Sequence, residues 1–213
     1  MADKVKCTVV SGAPNDCAEF LKERVDKNSF IIAADSGYRV LEKADIKPDL
    51  IIADFDSSKR PETECEIITF PIEKSRSDTF NCVVYAVENG FKKIEIFNAI
   101  GSRLDHTYAN LLCLDYCRKH GAECVIIDAH NRVSLITGEH TFKKDYDFFS
   151  LFAFLEDCEG VSIKGAFYTA GWYGKEELSL SQGEQYGLGN YITDEYCTVS
   201  VKKGTLLLIE AND

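Results

Sequence analysis

Acidic residues directly follow short apolar runs in the first half of this 213-residue sequence. Asp35 follows the run 30–34, and Asp54 and Asp56 stand at the end of the run 50–53. In extended backbone, residues two apart point to the same side with Cα atoms about 7 Å apart, so Asp54 and Asp56 can bind one hard cation. Mg²⁺ is usually held by one or two carboxylates with phosphate oxygens and water. The alternative is that these side chains only cap turns and helix starts.

Basic residues are interleaved with these acids. Lys74 precedes Asp78 in one segment, and Arg103 precedes Asp105 in another. An arginine offers a planar fork to phosphate oxygens, and a lysine offers a point charge. The alternative is that they form salt bridges to the same aspartates. His106 is a candidate hydrogen-bond donor to a phosphate, or a titrating group. The alternative is that it only forms a hydrogen bond at a helix end.

A repeating pattern of strands and helices positions these residues. Short apolar runs predict strands over 5–10, 30–34, 50–53, 66–70, 93–98 and 123–128, and helical apolar spacing predicts helices over 16–25, 38–43, 77–89 and 106–120. This alternation predicts a doubly wound, mostly parallel, Rossmann-like α/β sheet covered on both faces. Because ligands gather beyond the carboxyl ends of such strands, we expect the acidic loops to share one edge of the sheet.

The pattern changes after residue 131, where no convincing helix follows. Strands are predicted over 133–136, 148–154, 161–163, 198–201 and 205–209, and Lys202-Lys203-Gly204 between the last two is typical of a hairpin turn. We therefore predict an α/β domain over 1–130 and an antiparallel β-sandwich domain over 131–213. No linker rich in Gly, Pro or Ser separates them, so we expect packed domains.

Composition excludes several classes of protein. The formal net charge of -11 gives no basic footprint for nucleic acid or an anionic membrane. There is no signal-peptide apolar region and no apolar run of membrane-spanning length, so a cytoplasmic location is the simplest expectation. Nine cysteines without a C-x-x-C pair predict reduced core residues rather than a disulfide or zinc framework. The P-loop, G-x-S-x-G and H-E-x-x-H motifs are absent from the sequence.

Ordered motifs along most of the chain resemble those of the thiamine pyrophosphokinase family. In the second part, 163–168, Gly189-Asn190 and 204–207 are similar to the family's β-sandwich domain. Ser75 stands where the family usually has an acid, Ser77 replaces its threonine, and Gly189 replaces the serine of its Ser-Asn pair. The motifs of the first part are Ala34-Asp35-Ser36-Gly37, Pro48-Asp49-Leu50-Ile51-Ile52-Ala53-Asp54-Phe55-Asp56-Ser57, Lys74-Ser75-Arg76-Ser77-Asp78, and Gly101-Ser102-Arg103-Leu104-Asp105-His106 with Asn110.

The resemblance implies transfer of a diphosphoryl group from ATP to the hydroxyl of thiamine, giving thiamine diphosphate and AMP. It implies Asp54, Asp56 and Asp78 as ligands of Mg²⁺ and as catalytic residues together with Arg103 and Asp105. It implies a thiamine contact at Asn190, and a homodimer whose thiamine pocket forms where two subunits meet. The ATP contacts that it implies are Asp35, Ser36, Gly37, Lys74, Ser77, Gly101, Arg103, His106 and Asn110.

Three alternative functions stay open. One is the same transfer to another alcohol, such as a hydroxymethylpterin. A second is a non-catalytic module that binds a nucleotide or thiamine. A third is a metal-dependent phosphohydrolase, which would release phosphate rather than AMP.

Overall fold

Two units of different sheet type make up the chain, Met1–Ala129 and His130–Asp213. The structure, a computed structural model, describes residues 6–54, 60–69, 76–185 and 187–213. None of the described helices is long and apolar enough to cross a membrane.

The strands described in the first unit form one parallel sheet. Its order is β6-β5-β1-β2-β3-β4, and each neighbouring pair is parallel. The chain builds outward from β1 to β4 and then crosses to the other side of β1, so the order reverses between β1 and β5. Sheets of this kind bind ligands at such a reversal. The strands are β1 (Lys6–Val10), β2 (Phe30–Ala34), β3 (Leu50–Ala53), β4 (Glu66–Thr69), β5 (Lys93–Phe97) and β6 (Glu123–Ile127).

Helices cover both faces of this sheet: α1 (Ala18–Arg24), α2 (Gly37–Lys43), α3 (Asp78–Glu88) and α4 (Leu104–Lys119). On one face, Ile31 of β2 is buried in a cluster with Leu21 of α1 and Leu41 of α2. Phe30 points to the other face because side chains alternate along a strand, and its ring stacks on Tyr85 of α3 with centroids 6.4 Å apart. Burial on both faces explains the nearly continuous apolar runs. The predicted mixed α/β class is confirmed.

Helix boundaries follow local signals. Ser77 caps α3, its Oγ accepting a hydrogen bond from the Phe80 backbone N–H at 3.2 Å, and the helix ends before Gly90, whose φ is +84°. The helix α4 begins at Leu104, two residues before the predicted start at His106.

Antiparallel strands form the second unit. In this part of the described chain, β12 is the common partner: it pairs with β7, β8 and β9, while β10 pairs with β9 and β11 with β8. A short 3-10 helix spans Ala170–Tyr173. The strands are β7 (Asn131–Lys143), β8 (Phe148–Ala153), β9 (Cys158–Lys164), β10 (Leu178–Leu180), β11 (Gly187–Asn190) and β12 (Tyr196–Ala211).

The hairpin predicted at Lys202-Lys203-Gly204 is wrong. The strand β12 continues through these residues, and both of its halves pair with β7, as the pairs Val201 with Gly138 and Leu206 with Ile136 show. The register shifts between Val201 and Leu206, so the extra residues form a bulge. A bulge and a hairpin turn both favour glycine in left-handed backbone, which Gly204 adopts with a φ of +96°.

The cysteines are free thiols, as predicted. Burial raises the pKa of Cys113 to about 12 and that of Cys197 to about 12, so both stay protonated and unreactive near neutral pH. The buried thiols are Cys7, Cys82, Cys113, Cys117, Cys158 and Cys197.

Candidate functional site

A pocket of about 530 Å³ lies in the first unit at the carboxyl ends of β1, β2, β3 and β5. The first residues of α3 and α4 complete its lining. Helix N-termini carry unpaired N–H groups and a partial positive charge, which favours anions. The predicted site residues that line it are Asp35, Ser36, Asp54, Ser77, Asp78, Gly101, Arg103, His106 and Asn110.

Other predicted site residues lie elsewhere. Gly37 is buried against the backbone of Val10 and Ser11 and does not line the pocket. Asp105 is exposed beside Arg103. Asp56 and Lys74 lie outside the described residues. Asn190 belongs to the second unit.

The loops after β1 and β2 are in close contact. A Cβ added to Gly37 would lie 2.1 Å from the Val10 carbonyl oxygen, and one added to Gly12 would lie 2.1 Å from the Ser36 Oγ. Asp35, between these contacts, has a left-handed φ of 46°, which costs free energy for most residues other than glycine but is tolerated by Asp and Asn. The close approach fixes where the Asp35 and Ser36 side chains enter the pocket.

This contact predicts a stability difference between two glycine substitutions. Gly37→Ala should lower the free energy of unfolding by about 2–3 kcal/mol, because a backbone oxygen blocks the new methyl group. In Gly12→Ala the neighbour is the end of a serine side chain, which can rotate, so the loss should be smaller. Gly171→Ala, whose nearest neighbouring atom would be 3.6 Å away, is the control. Thermal unfolding measures all three, and a Gly37→Ala melting temperature equal to that of the control would contradict the prediction.

Two carboxylates from different elements reach the same pocket. Asp54 follows β3 and Asp78 begins α3, and both line the cavity. No group of three metal-capable His, Cys, Asp or Glu side chains occurs in the described ranges. Two carboxylates fit the demand of Mg²⁺, which takes its remaining ligands from phosphate and water.

Arg103 pairs with Asp105 at the pocket rim. The Arg103 Nε lies 3.1 Å from Asp105 Oδ1, and Nη2 lies 2.5 Å from Oδ2. The salt-bridge alternative considered for the interleaved charges therefore holds for this pair, although Arg103 also lines the pocket. Both side chains are mostly exposed, at 70% and 65%, so the pair stabilises the fold little. Both hydrogen bonds engage the guanidinium on its Asp105 side.

The pair also sets when Asp105 titrates. Hydrogen bonding from Arg103 lowers the pKa of the Asp105 carboxyl from 3.8 to about 2. Since the folded pKa lies below the unfolded one, the stabilisation is present above about pH 4 and is lost as the pH falls through about 2. Asp105 therefore contributes no inflection to a pH–activity profile near neutrality.

Polar side chains hold the pocket loops in place. The Asn110 amide donates to the Ala99 carbonyl oxygen at 2.7 Å and so ties α4 to the loop after β5. The Ser77 hydroxyl caps α3, which is the alternative considered for acids and serines after strands. The buried hydroxyls of Ser11 and Thr79 lie 2.6 Å apart and join the loop after β1 to α3.

One whole wall of the pocket was not among the predicted site residues: the segment 11–14 after β1, together with Asn98 after β5. The missed signal was position: β1 is the central strand, and Ser11-Gly12-Ala13-Pro14 stands at its carboxyl end. Arg76 was also left out of the predicted ATP contacts, yet it lines the pocket with its guanidinium 5.3 Å from the centre of the Phe80 ring.

Asn190 is buried and its side chain bonds to backbone. Its Oδ1 accepts from the backbone N–H groups of Tyr168 at 3.0 Å and Tyr191 at 2.9 Å, and its Nδ2 donates to the Tyr168 carbonyl oxygen at 2.8 Å. It thereby joins β11 to an aromatic cluster, in which the Phe167 ring lies 4.9 Å from Tyr191 and 5.1 Å from Trp172. Trp172 is 59% exposed. A thiamine contact at Asn190 stays a prediction.

Comparison with known proteins gives consistent matches. The sequence family described as thiamin pyrophosphokinase, catalytic domain, matches residues 21–126. A thiamine pyrophosphokinase of Bacillus subtilis (strain 168) is 26% identical over 214 residues, covering 96% of this chain and 98% of that protein.

Solved structures match in fold along nearly the whole chain. The thiamine pyrophosphokinase from Bacillus subtilis gives a TM-score of 0.85 at 23% identity, covering 98% of this chain and 99% of that one. The enzyme from Geobacillus thermodenitrificans gives 0.83 at 23% identity, covering 98% of both chains. The enzyme from Candida albicans gives 0.73 at 17% identity, covering 97% of this chain and 90% of that one.

Proposed function

The chain belongs to the thiamine pyrophosphokinase family, and on that premise we propose that it transfers the diphosphoryl group of ATP to the hydroxyl of thiamine. The products are thiamine diphosphate and AMP. The observation that supports this most directly is the pocket at the strand ends, which is lined by Asp54 and Asp78 together with Arg76 and Arg103. Carboxylates and guanidinium groups in one cavity suit a polyphosphate that arrives with a cation.

The reaction places specific demands on the pocket. The thiamine hydroxyl oxygen forms a bond to the β-phosphorus, while the bond from that phosphorus to the oxygen bridging the α-phosphorus breaks. The bridging oxygen keeps the electron pair and leaves with AMP. Charge therefore grows on oxygens on both sides of the β-phosphorus, and catalysis consists of positioning and electrostatic stabilisation.

The residues of the first unit divide these tasks. Arg103 and Arg76 counter the negative charge of the phosphates, with Lys74 assigned the same role by family resemblance. The N-termini of α3 and α4 add partial positive charge. Asp35 and Ser36 border the nucleotide and His106 orients it. Gly37 acts from behind, by its close contact with Val10, and Asp105 acts through its pair with Arg103. Because positioning supplies most of the rate in such transfers, the reaction does not require a side chain as general base. The hydroxyl proton then passes to solvent or to a phosphate oxygen.

Asp54 and Asp78, with Asp56, would hold Mg²⁺. When bound there, the ion neutralises phosphate charge and makes the β-phosphorus a better electrophile.

We assign thiamine recognition and dimerisation to the second unit. In this interpretation, residues 1–130 form a Rossmann-like nucleotide domain, and residues 131–213 form a β-sandwich. A thiazolium cation is attracted to the face of an aromatic ring, and the exposed Trp172 offers one. The homodimer would place this unit of one subunit beside the nucleotide pocket of the other, in a cytoplasmic enzyme without nucleic-acid or membrane partners. Sedimentation equilibrium tests the dimer, and a stable species of single-chain mass would contradict it.

The deciding experiment is an assay of purified protein with ATP, Mg²⁺ and thiamine, in which AMP and thiamine diphosphate are quantified together by chromatography. Equal amounts of both, with neither formed in the presence of EDTA, support the proposal. If a diphosphorylated product forms only when a hydroxymethylpterin is supplied, the acceptor alcohol is a pterin rather than thiamine. Phosphate release without AMP would indicate a hydrolase, and ligand binding without turnover would indicate a binding module.

A further inference from the structure

Asn98 occupies an unusual position at the carboxyl end of β5. It is only 2% exposed and has a left-handed φ of 53°, where asparagine is tolerated at a free-energy cost. It lies where the strand order reverses between β1 and β5, and it lines the pocket.

Its amide group binds the loop that follows β1. The Asn98 Nδ2 donates to the carbonyl oxygens of Ser11 at 2.9 Å and Ala13 at 2.8 Å, and the Asn98 carbonyl oxygen accepts from the Ala13 N–H at 3.2 Å. Asn15 closes the arrangement from outside: its Nδ2 donates to Asn98 Oδ1 at 3.3 Å and to the Ile100 carbonyl oxygen at 2.6 Å. One buried side chain thus uses both of its amide hydrogens on a single loop.

The loop has little other freedom. Gly12 packs against Ser36 and Gly101 packs against Ala13, since an added Cβ would lie 2.1 Å and 3.0 Å from those neighbours. The carbonyls of Ser11 and Ala13 are turned toward Asn98, and the remainder of segment 11–14 lines the cavity. Without the Asn98 amide, the buried Ser11 carbonyl would lose this donor, and the Ala13 carbonyl would keep only the Asn15 backbone N–H at 2.8 Å. The loop would then be less firmly held in its conformation.

We propose that Asn98 is a positioning residue for ATP: it holds the segment 11–15 in the conformation that forms the β1 wall of the nucleotide pocket. The inference rests on the proposed function for the identity of the ligand. It assigns to Asn98 an effect on ATP rather than on the acceptor alcohol, because all of its contacts lie in the first unit.

The test is Asn98→Gly, which keeps a residue suited to left-handed backbone and removes the side chain with its amide. We expect the KM for ATP, and the Kd for Mg²⁺–ATP measured by calorimetry without thiamine, to rise about tenfold, while the KM for thiamine stays within about twofold. Asp45→Gly is the matched control, because Asp45 has the same φ of 53° but does not line the pocket. It should change neither constant.

Asn15→Ala keeps the inference testable if Asn98→Gly does not fold. Asn15 is exposed, so its loss leaves the core intact and should raise the ATP constants about two- to fivefold. A folded Asn98→Gly protein with an unchanged Kd for Mg²⁺–ATP would overturn the inference, as would equal changes in both KM values. If Asn98→Gly is unfolded, an unchanged Asn15→Ala protein overturns it. A wild-type protein that binds Mg²⁺–ATP but forms no thiamine diphosphate would overturn the proposed function alone, and one that does not bind ATP would overturn both.

Discussion

Asp54→Asn is expected to lower kcat for thiamine diphosphate formation by at least about a hundredfold while changing the free energy of unfolding by less than about 1 kcal/mol. The amide keeps the shape of the carboxylate but removes its charge, so a cation in the pocket loses a charged ligand. Asp78→Asn should behave alike, since Asp78 reaches the same cavity from α3. The same result is expected at Asp56, the third ligand implied by the family motif.

A Mg²⁺ titration separates this role from a general loss of activity. The two variants should need more Mg²⁺ for half-maximal rate, whereas Asp45→Asn, an exposed carboxylate outside the pocket, should match wild type. Turnover within a few-fold of wild type at every Mg²⁺ concentration would exclude Asp54 as a ligand. Circular dichroism and thermal unfolding of each variant check that the fold is retained.

Arg132→Met is expected to give the largest loss of stability, about 3–5 kcal/mol. Arg132 at the start of β7 binds Glu210 near the end of β12 through two hydrogen bonds of 2.5 Å and 2.6 Å. Glu210 is only 3% exposed, so the variant leaves a buried carboxylate without its cation. Burial opposes the charge on Arg132, but the hydrogen bonds to Glu210 more than offset it and raise the pKa of the guanidinium.

A double-mutant cycle distinguishes a lost ion pair from lost packing. Arg132→Met with Glu210→Met should be more stable than Arg132→Met alone, because no unpaired buried charge remains. Lys203→Met is the control: its pair with Glu159 is 2.8 Å long but is 71% and 60% exposed, so its loss should cost less than about 1 kcal/mol. Chemical denaturation followed by circular dichroism measures the series. A double variant less stable than Arg132→Met alone would contradict the expected charge effect.

The α/β class and the clustering of site residues could be predicted because both depend on local signals. Continuous apolar runs indicated buried parallel strands, and the acids that follow them had to meet at one edge. The strand order was not predicted, because it depends on which strands pair across the sheet. For this reason the loop after β1 was not predicted as part of the site, although Ser11-Gly12-Ala13-Pro14 directly follows a predicted strand.

Asn98 and the bulge in β12 were not predicted for a second reason: both depend on partners that are distant in the sequence. Asn98 holds Ser11 across 87 positions of the chain, and no local pattern marks such a partner. The Lys-Lys-Gly segment of β12 has the composition of a turn, but β7 supplies partners on both sides of it. The choice between salt bridge and phosphate contact for Arg103 likewise depends on the geometry of the pocket rim.

The pairing of β12 limits the order in which the sheet of the second unit can form during synthesis. β7, β8 and β9 all use β12 as a partner, and all three precede it in the chain. These strands therefore cannot complete their pairing before β12 has been synthesised. Shared late pairing over long sequence separations slows assembly and leaves strand edges accessible to other chains. We therefore expect nascent chains that lack β12 to bind chaperones more than the folded protein does.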